Sequence, residues 1–223
     1  MKKFGFVTVV TLSMELTGCI ANSESVVITG MAPIDPASGC VASPTTTTVV
    51  TRGILDINLA RGYWAAPILR NNLLSSQSST SRVLDGRGFL LDGFRVRFRT
   101  TGLRVQLPER FYQLTGFVDS NQGKLAATFL LLSQAEVDLL RGDPSIPEGG
   151  RALVIANLKA EGRLTDGGNI SSAEVAFPLD VCRGCLRSVP DPTACPTTEE
   201  PTEVCSAGQD FVVDCATYDR LRR

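Results

Sequence analysis

Between residues 49 and 181 apolar and polar positions alternate repeatedly with a period of two, the pattern of strands buried on one face. Leu55, Ile57 and Leu59 alternate with Asp56 and Asn58, while Phe94, Val96 and Phe98 alternate with Arg95, Arg97 and Arg99. Residues 103–107 and 111–118 read as further strands, with Thr101-Gly102 as a turn between Arg99 and Arg104. Residues 124–132 are apolar enough for a strand buried on both faces. A strand over 63–73 is interrupted by Pro67, which demotes it to an edge or a bulge. Residues 75–81 and 119–123 read as polar loops. Segments 151–163 and 169–181 form a long hairpin turned at Asp166-Gly167-Gly168, with Leu153, Ile155, Val175 and Phe177 facing its core. One short helix is expected. Ser133-Gln134-Ala135-Glu136 is a capping box, Leu132 and Val137 occupy the staple positions, and Gly142 marks the stop. Many short strands with turn signals predict an all-β domain, an antiparallel β-sandwich (immunoglobulin-like) or a small barrel.

The flanks differ from this body. Residues 1–18 carry Lys2 and Lys3 and then a short apolar stretch over 4–12, too short for a membrane span and suited to a signal peptide. Residues 19–48, with a Ser43-Pro44-Thr45 run continuing through Thr48, read as a polar tether. From 182 to 223 Pro190, Pro192, Pro196 and Pro201 preclude a core, so this tail requires disulfide staples. The domain proper is then 49–181.

Composition narrows the function classes. The 223 residues carry a net charge of −1 and 6% aromatics, so nothing favours nucleic acid as a partner. Histidine is absent, which removes the commonest general base and metal ligand. No motif for catalysis or nucleotide binding stands out. Arg141-Gly142-Asp143 spells an adhesion tripeptide and Asn169-Ile170-Ser171 a glycosylation sequon, both short enough to arise by chance.

Seven cysteines are present, at 19, 40, 182, 185, 195, 205 and 215. An odd number in an exported chain calls for an explanation. If Cys19 is set apart, Cys40, Cys182, Cys185, Cys195, Cys205 and Cys215 can close three disulfides. The expected pairing joins Cys40 to Cys182 or Cys185 and closes a local loop between Cys205 and Cys215. Cys182-Arg183-Gly184-Cys185 also has the spacing of a thiol oxidoreductase, but Pro190 and Pro192 resist the helix that such a site requires. The spacing of the other cysteines does not repeat C-x-x-C, which argues against a zinc site.

Arg95, Arg97 and Arg99 share one face of a strand. Across a two-residue turn Arg104 would oppose Arg99, an unfavourable pairing that Asp85, Asp92, Glu109 or an anionic ligand would offset. These four arginines are the candidate anion-binding face, for an anionic envelope polymer or an acidic protein partner.

Leu16-Thr17-Gly18-Cys19 resembles the bacterial lipobox. The resemblance implies cleavage after Gly18 and a covalent lipid on Cys19. Two or more acyl chains, palmitate among them, give stable anchoring. Ile20 in place of an Asp implies the outer membrane. Ala160-Glu161-Gly162-Arg163, Asp166-Gly167-Gly168, the stretch from Phe177 to Cys182, Cys185-Leu186 and Gly208-Gln209-Asp210 to Cys215 resemble uncharacterised bacterial outer-membrane lipoproteins with a β-sandwich body and a cysteine-rich tail. The expectation is a membrane-anchored envelope lipoprotein without enzymatic activity, a binding or structural module whose only added group is the lipid on Cys19. The alternative is an envelope enzyme, either a thiol oxidoreductase using Cys182 and Cys185 or a hydrolase.

Overall fold

The computed structural model describes residues 25–36, 39–74, 87–187 and 205–214. Cys19 and its lipobox, Cys195, Cys215 and the loop over 75–81 lie outside these residues. The described chain is mostly β, with one short helix.

Among the described residues eleven strands and one helix occur in chain order. They are β1 (Val26–Met31), β2 (Gly53–Asp56), β3 (Tyr63–Ala65), β4 (Pro67–Asn71), β5 (Phe89–Thr101), β6 (Arg110–Val118), β7 (Lys124–Ala126), β8 (Phe129–Leu132), α1 (Gln134–Gly142), β9 (Arg151–Leu164), β10 (Asn169–Ser171) and β11 (Val175–Cys182). A six-stranded sheet curls into a half-barrel in the order β2-β11-β9-β5-β6, with β10 paired to β9. It is antiparallel except where β2 runs parallel to β11. A three-stranded sheet, β1-β4-β7, and the pair β3-β8 complete the fold.

The long strands form where the alternation is strongest. Phe94 and Val96 in β5 are fully buried beside Arg95, Arg97 and Arg99, which face outward, and β9 sends Val154, Ala156, Leu158 and Ala160 into the same core. Phe129 of β8 stacks on Phe94 at 5.2 Å and meets Tyr112 at 4.8 Å, which joins the β3-β8 pair to the large sheet. The hairpin from β9 turns where expected, with Gly167 at φ +95°. Helix α1 also forms as expected. The Ser133 N–H and hydroxyl both donate to Glu136 Oε2 at 2.6 Å, and Val137 and Leu140 are fully buried.

Several elements differ from the sequence expectation. Residues 103–107 form no strand, because the Arg104 and Val105 N–H groups donate to Asp143 at 2.7 and 2.8 Å instead of joining a ladder. Arg104 therefore does not oppose Arg99; β5 pairs with β6 through Val96 and Arg110. Strand β2 stops at Asp56, whose buried carboxylate caps the next turn. Pro67, with no N–H to donate, opens β4, and the chain changes sheets at that point. Strand β1 lies within the segment read as a tether. Its Val26, Ile28 and Met31 are buried, and it pairs antiparallel with β4.

The disulfides differ from the expected pairing as well. Cys40 is joined to Cys205, and Cys182 to Cys185. A tight turn at Gly184 (φ +81°) brings Cys182 and Cys185 to a Cα separation of 5.9 Å, and the tail folds back to present Cys205 to Cys40.

Candidate functional site

The outer face of the large sheet carries the predicted arginines, and acids of the same chain meet them. Arg95 donates through Nε to Glu161 at 2.7 Å and reaches Glu109 at 3.4 Å, while its guanidinium lies 5.6 Å from the centre of the Phe111 ring. Arg97 pairs with Glu174, Arg52 with Asp180, and Arg163 with Asp92 at 3.3 Å. Each acid is remote in sequence, so cross-strand register supplies the offsetting charge. Among the described residues Arg99 has no acidic partner, and Arg104 sits beyond the end of β5. Arg95, Arg97 and Arg99 thus share a face, and Arg104 does not join them.

The C-x-x-C turn closes over Asp56. This carboxylate is fully buried and accepts three backbone N–H groups, from Asn58 at 3.0 Å, Gly184 at 2.8 Å and Leu186 at 3.0 Å. An oxygen of Asp56 and the two cysteine sulfurs lie within 4.8 Å of one another, a spacing that could hold a metal. The sulfurs are bonded to each other, however, and the carboxylate is occupied by backbone donors, so the arrangement serves as a hub. Cys182 is fully buried at the end of β11, and the chain leaves it in a turn and not in a helix. A thiolate there would lack the helix N-terminus that commonly activates such a residue.

Residues 205–214 dock against the free edge of β2. Asp210 N–H donates to Ile54 O at 3.0 Å, Ile54 N–H donates to Asp210 Oδ1 at 2.7 Å, and Asp56 N–H donates to Gly208 O at 2.8 Å. The tail therefore acts as a further strand over an edge that would otherwise be open to pairing with another chain. The Tyr63 hydroxyl donates to Asp210 Oδ2 at 2.9 Å. Burial pushes the Asp210 carboxyl above its ordinary range, although the Ile54, Tyr63 and Gln209 donors work against that. Burial and the neighbouring Asp210 likewise raise Tyr63 well above the usual phenol value.

Docking of the tail also builds a cavity. The buried Gln209 side chain accepts from Trp64 N–H at 2.8 Å and donates to Trp64 O at 2.7 Å, imitating a neighbouring strand. That fixes the backbone that carries the chain's single tryptophan, whose side chain remains 42% exposed. Trp64, Phe211, Ile34 and the Cys40–Cys205 disulfide wall a cavity of about 280 Å³, with Thr128 and Ser206 contributing hydroxyls. No charged side chain lines it among the described residues. Sequence reasoning missed this site, because its walls come from four remote segments. The available signals were the isolated Trp64 and the Gly208-Gln209-Asp210 motif.

Comparison with known proteins finds no matching family, curated protein or solved structure.

Proposed function

We propose that this chain is an outer-membrane lipoprotein, anchored through lipid on Cys19, whose folded part is a non-enzymatic binding module. The observation that carries the reading is the pairing of cysteines. Cys40–Cys205 and Cys182–Cys185 are closed, as suits an oxidising compartment, and Cys19 ends the lipobox-like Leu16-Thr17-Gly18-Cys19. The resemblance to bacterial lipoproteins supports the same address. Module rather than enzyme is favoured because the buried acids Asp56 and Asp143 are occupied by backbone donors. Among the described residues the apolar cavity beside Trp64 is lined by no titratable side chain, and the acids lining the more open cavity, Asp92 and Glu161, are paired with Arg163 and Arg95.

Intact mass of the detergent-extracted protein tests the proposal, with thiols alkylated before and after reduction. The expected result is an N-terminus at Cys19 carrying acyl mass and six labels that appear only after reduction. An unlipidated chain would overturn the anchor. Labelling of Cys182 and Cys185 without reduction would favour the thiol-exchange alternative.

A further inference from the structure

We infer that the cavity between Trp64 and Phe211 is a binding site for the acyl chain of a membrane lipid. This deepens the binding-module reading and takes from it only the source of the ligand.

The lining sets the ligand's chemistry. An indole, a phenyl ring, the Ile34 side chain and a disulfide form the walls, and no charge is present to meet a charged ligand. An anionic or cationic group would be desolvated there without compensation. A saccharide would bring several hydroxyls, but the Gln209 amide is committed to the Trp64 backbone and only the Thr128 and Ser206 hydroxyls remain. An alkyl chain needs no such partners inside the cavity, and those two hydroxyls suit an ester or glycerol oxygen at its end. The volume of about 280 Å³ lies at the small end for ligand pockets, which fits one chain.

The cavity is built before any ligand arrives. Gln209, 5% exposed, holds Trp64 by two hydrogen bonds, and the disulfide fixes the opposite wall. Its mouth is apolar as well. Trp64 and Phe211 are 42% and 40% exposed, so the two aromatic walls reach the surface together. Apolar groups presented together in this way mark a contact surface rather than scattered exposure. Position agrees with this source. Strand β1 begins at Val26, seven residues after Cys19, so the chain between them can span at most about 25 Å and keeps the folded part near the anchored end.

Trp64 is the only tryptophan, so its emission reports the site without a label. The test uses the mature chain with Cys19→Ser, which carries no lipid of its own. It is titrated with a medium-chain monoacylglycerol below its aggregation concentration, and in parallel with a neutral oligosaccharide. The expected result is a saturable blue shift of Trp64 emission with the monoacylglycerol alone, weakened at least tenfold in Phe211→Ser. Phe211 is a surface wall, and circular dichroism and disulfide state confirm that the variant is folded. No saturable shift, a shift unchanged in Phe211→Ser, or a response to the oligosaccharide instead would each overturn the proposal. Because the probe chain is unlipidated, these outcomes are independent of whether Cys19 carries lipid in the cell.

Discussion

At the scale of single residues, buried carboxylates do most of the organising. Asp143 lies directly after helix α1 and is 3% exposed. Burial pushes its carboxyl up, but the N–H groups of Val105, Ser145 and Arg104 and the Ser145 hydroxyl outweigh that and hold it at about 2. A depressed acid stabilises the fold above its unfolded value of 3.8 and loses that contribution as pH falls toward 2. The shift corresponds to about 2 kcal/mol. Asp143→Asn should therefore be destabilised relative to wild type at pH 7 in urea melts, with the gap closing as pH drops from 4 to 2. A gap that is independent of pH would refute the assignment. Asp210 has the opposite sign, since its carboxyl is raised above 3.8. Its contribution is complete below that value and declines as pH climbs through the folded one. Asp56→Ala would leave three backbone N–H groups without an acceptor, each costing about 1–3 kcal/mol. Urea denaturation of that variant should show a loss of several kcal/mol, well beyond that of an ordinary surface change.

At the scale of elements, local pattern was legible and long-range pairing was not. The alternation around Phe94 specified β5 and its buried face, and the capping box at Ser133 specified α1, because both signals lie within a few residues. The 103–107 segment has the same alternation as a strand yet forms none. Its fate depends on Asp143, about forty positions away, and nothing local records that. Asp56 was read as a solvent-facing position for the same reason: its partners Gly184 and Leu186 arrive from the other end of the domain. Arg95, Arg97 and Arg99 share a face of β5 as the alternation implies, whereas Arg104 leaves it; Glu109 was legible as an offsetting acid, but Glu161 and Glu174 require knowing the register of β5 with its neighbours. The docked tail was least legible, since its contacts are polar and backbone-mediated. It depends on Gly208, at φ +77°, where an added Cβ would lie 2.6 Å from Ala60 N and 2.9 Å from Asp56 O. Gly208→Ala should lift residues 205–214 from β2, which limited proteolysis would detect as faster cleavage on the C-terminal side of Leu186. The strands of the main sheet should persist by circular dichroism. Unchanged cleavage would mean that the tail tolerates a side chain there and is held by the disulfide alone.

At the scale of the whole molecule, the two disulfides among the described residues have different tasks that chain-entropy arguments can separate. Cys40–Cys205 spans 165 residues and encloses nearly every strand, whereas Cys182–Cys185 spans three. Loop-closure entropy gives about 5 kcal/mol for the long link and about 2 kcal/mol for the short one, both of them upper estimates. The short link also closes a turn that Asp56 already holds by hydrogen bonds, so part of its constraint is duplicated. The long link is less duplicated on its N-terminal side: Cys40 is exposed and its own N–H bonds locally to Asp35, although the nearby Ala42 is buried in one cluster with Ala32, Ala66 and Ile68. The paired variant Cys40→Ser with Cys205→Ser should therefore lose more stability than Cys182→Ser with Cys185→Ser in urea melts. It should also lose the cavity between Trp64 and Phe211, seen as a red shift of Trp64 emission, whereas the second pair should leave that emission unchanged. If both pairs cost the same and neither moves the emission, the long disulfide is a passive link rather than the clasp that brings the tail onto the domain and forms the cavity wall.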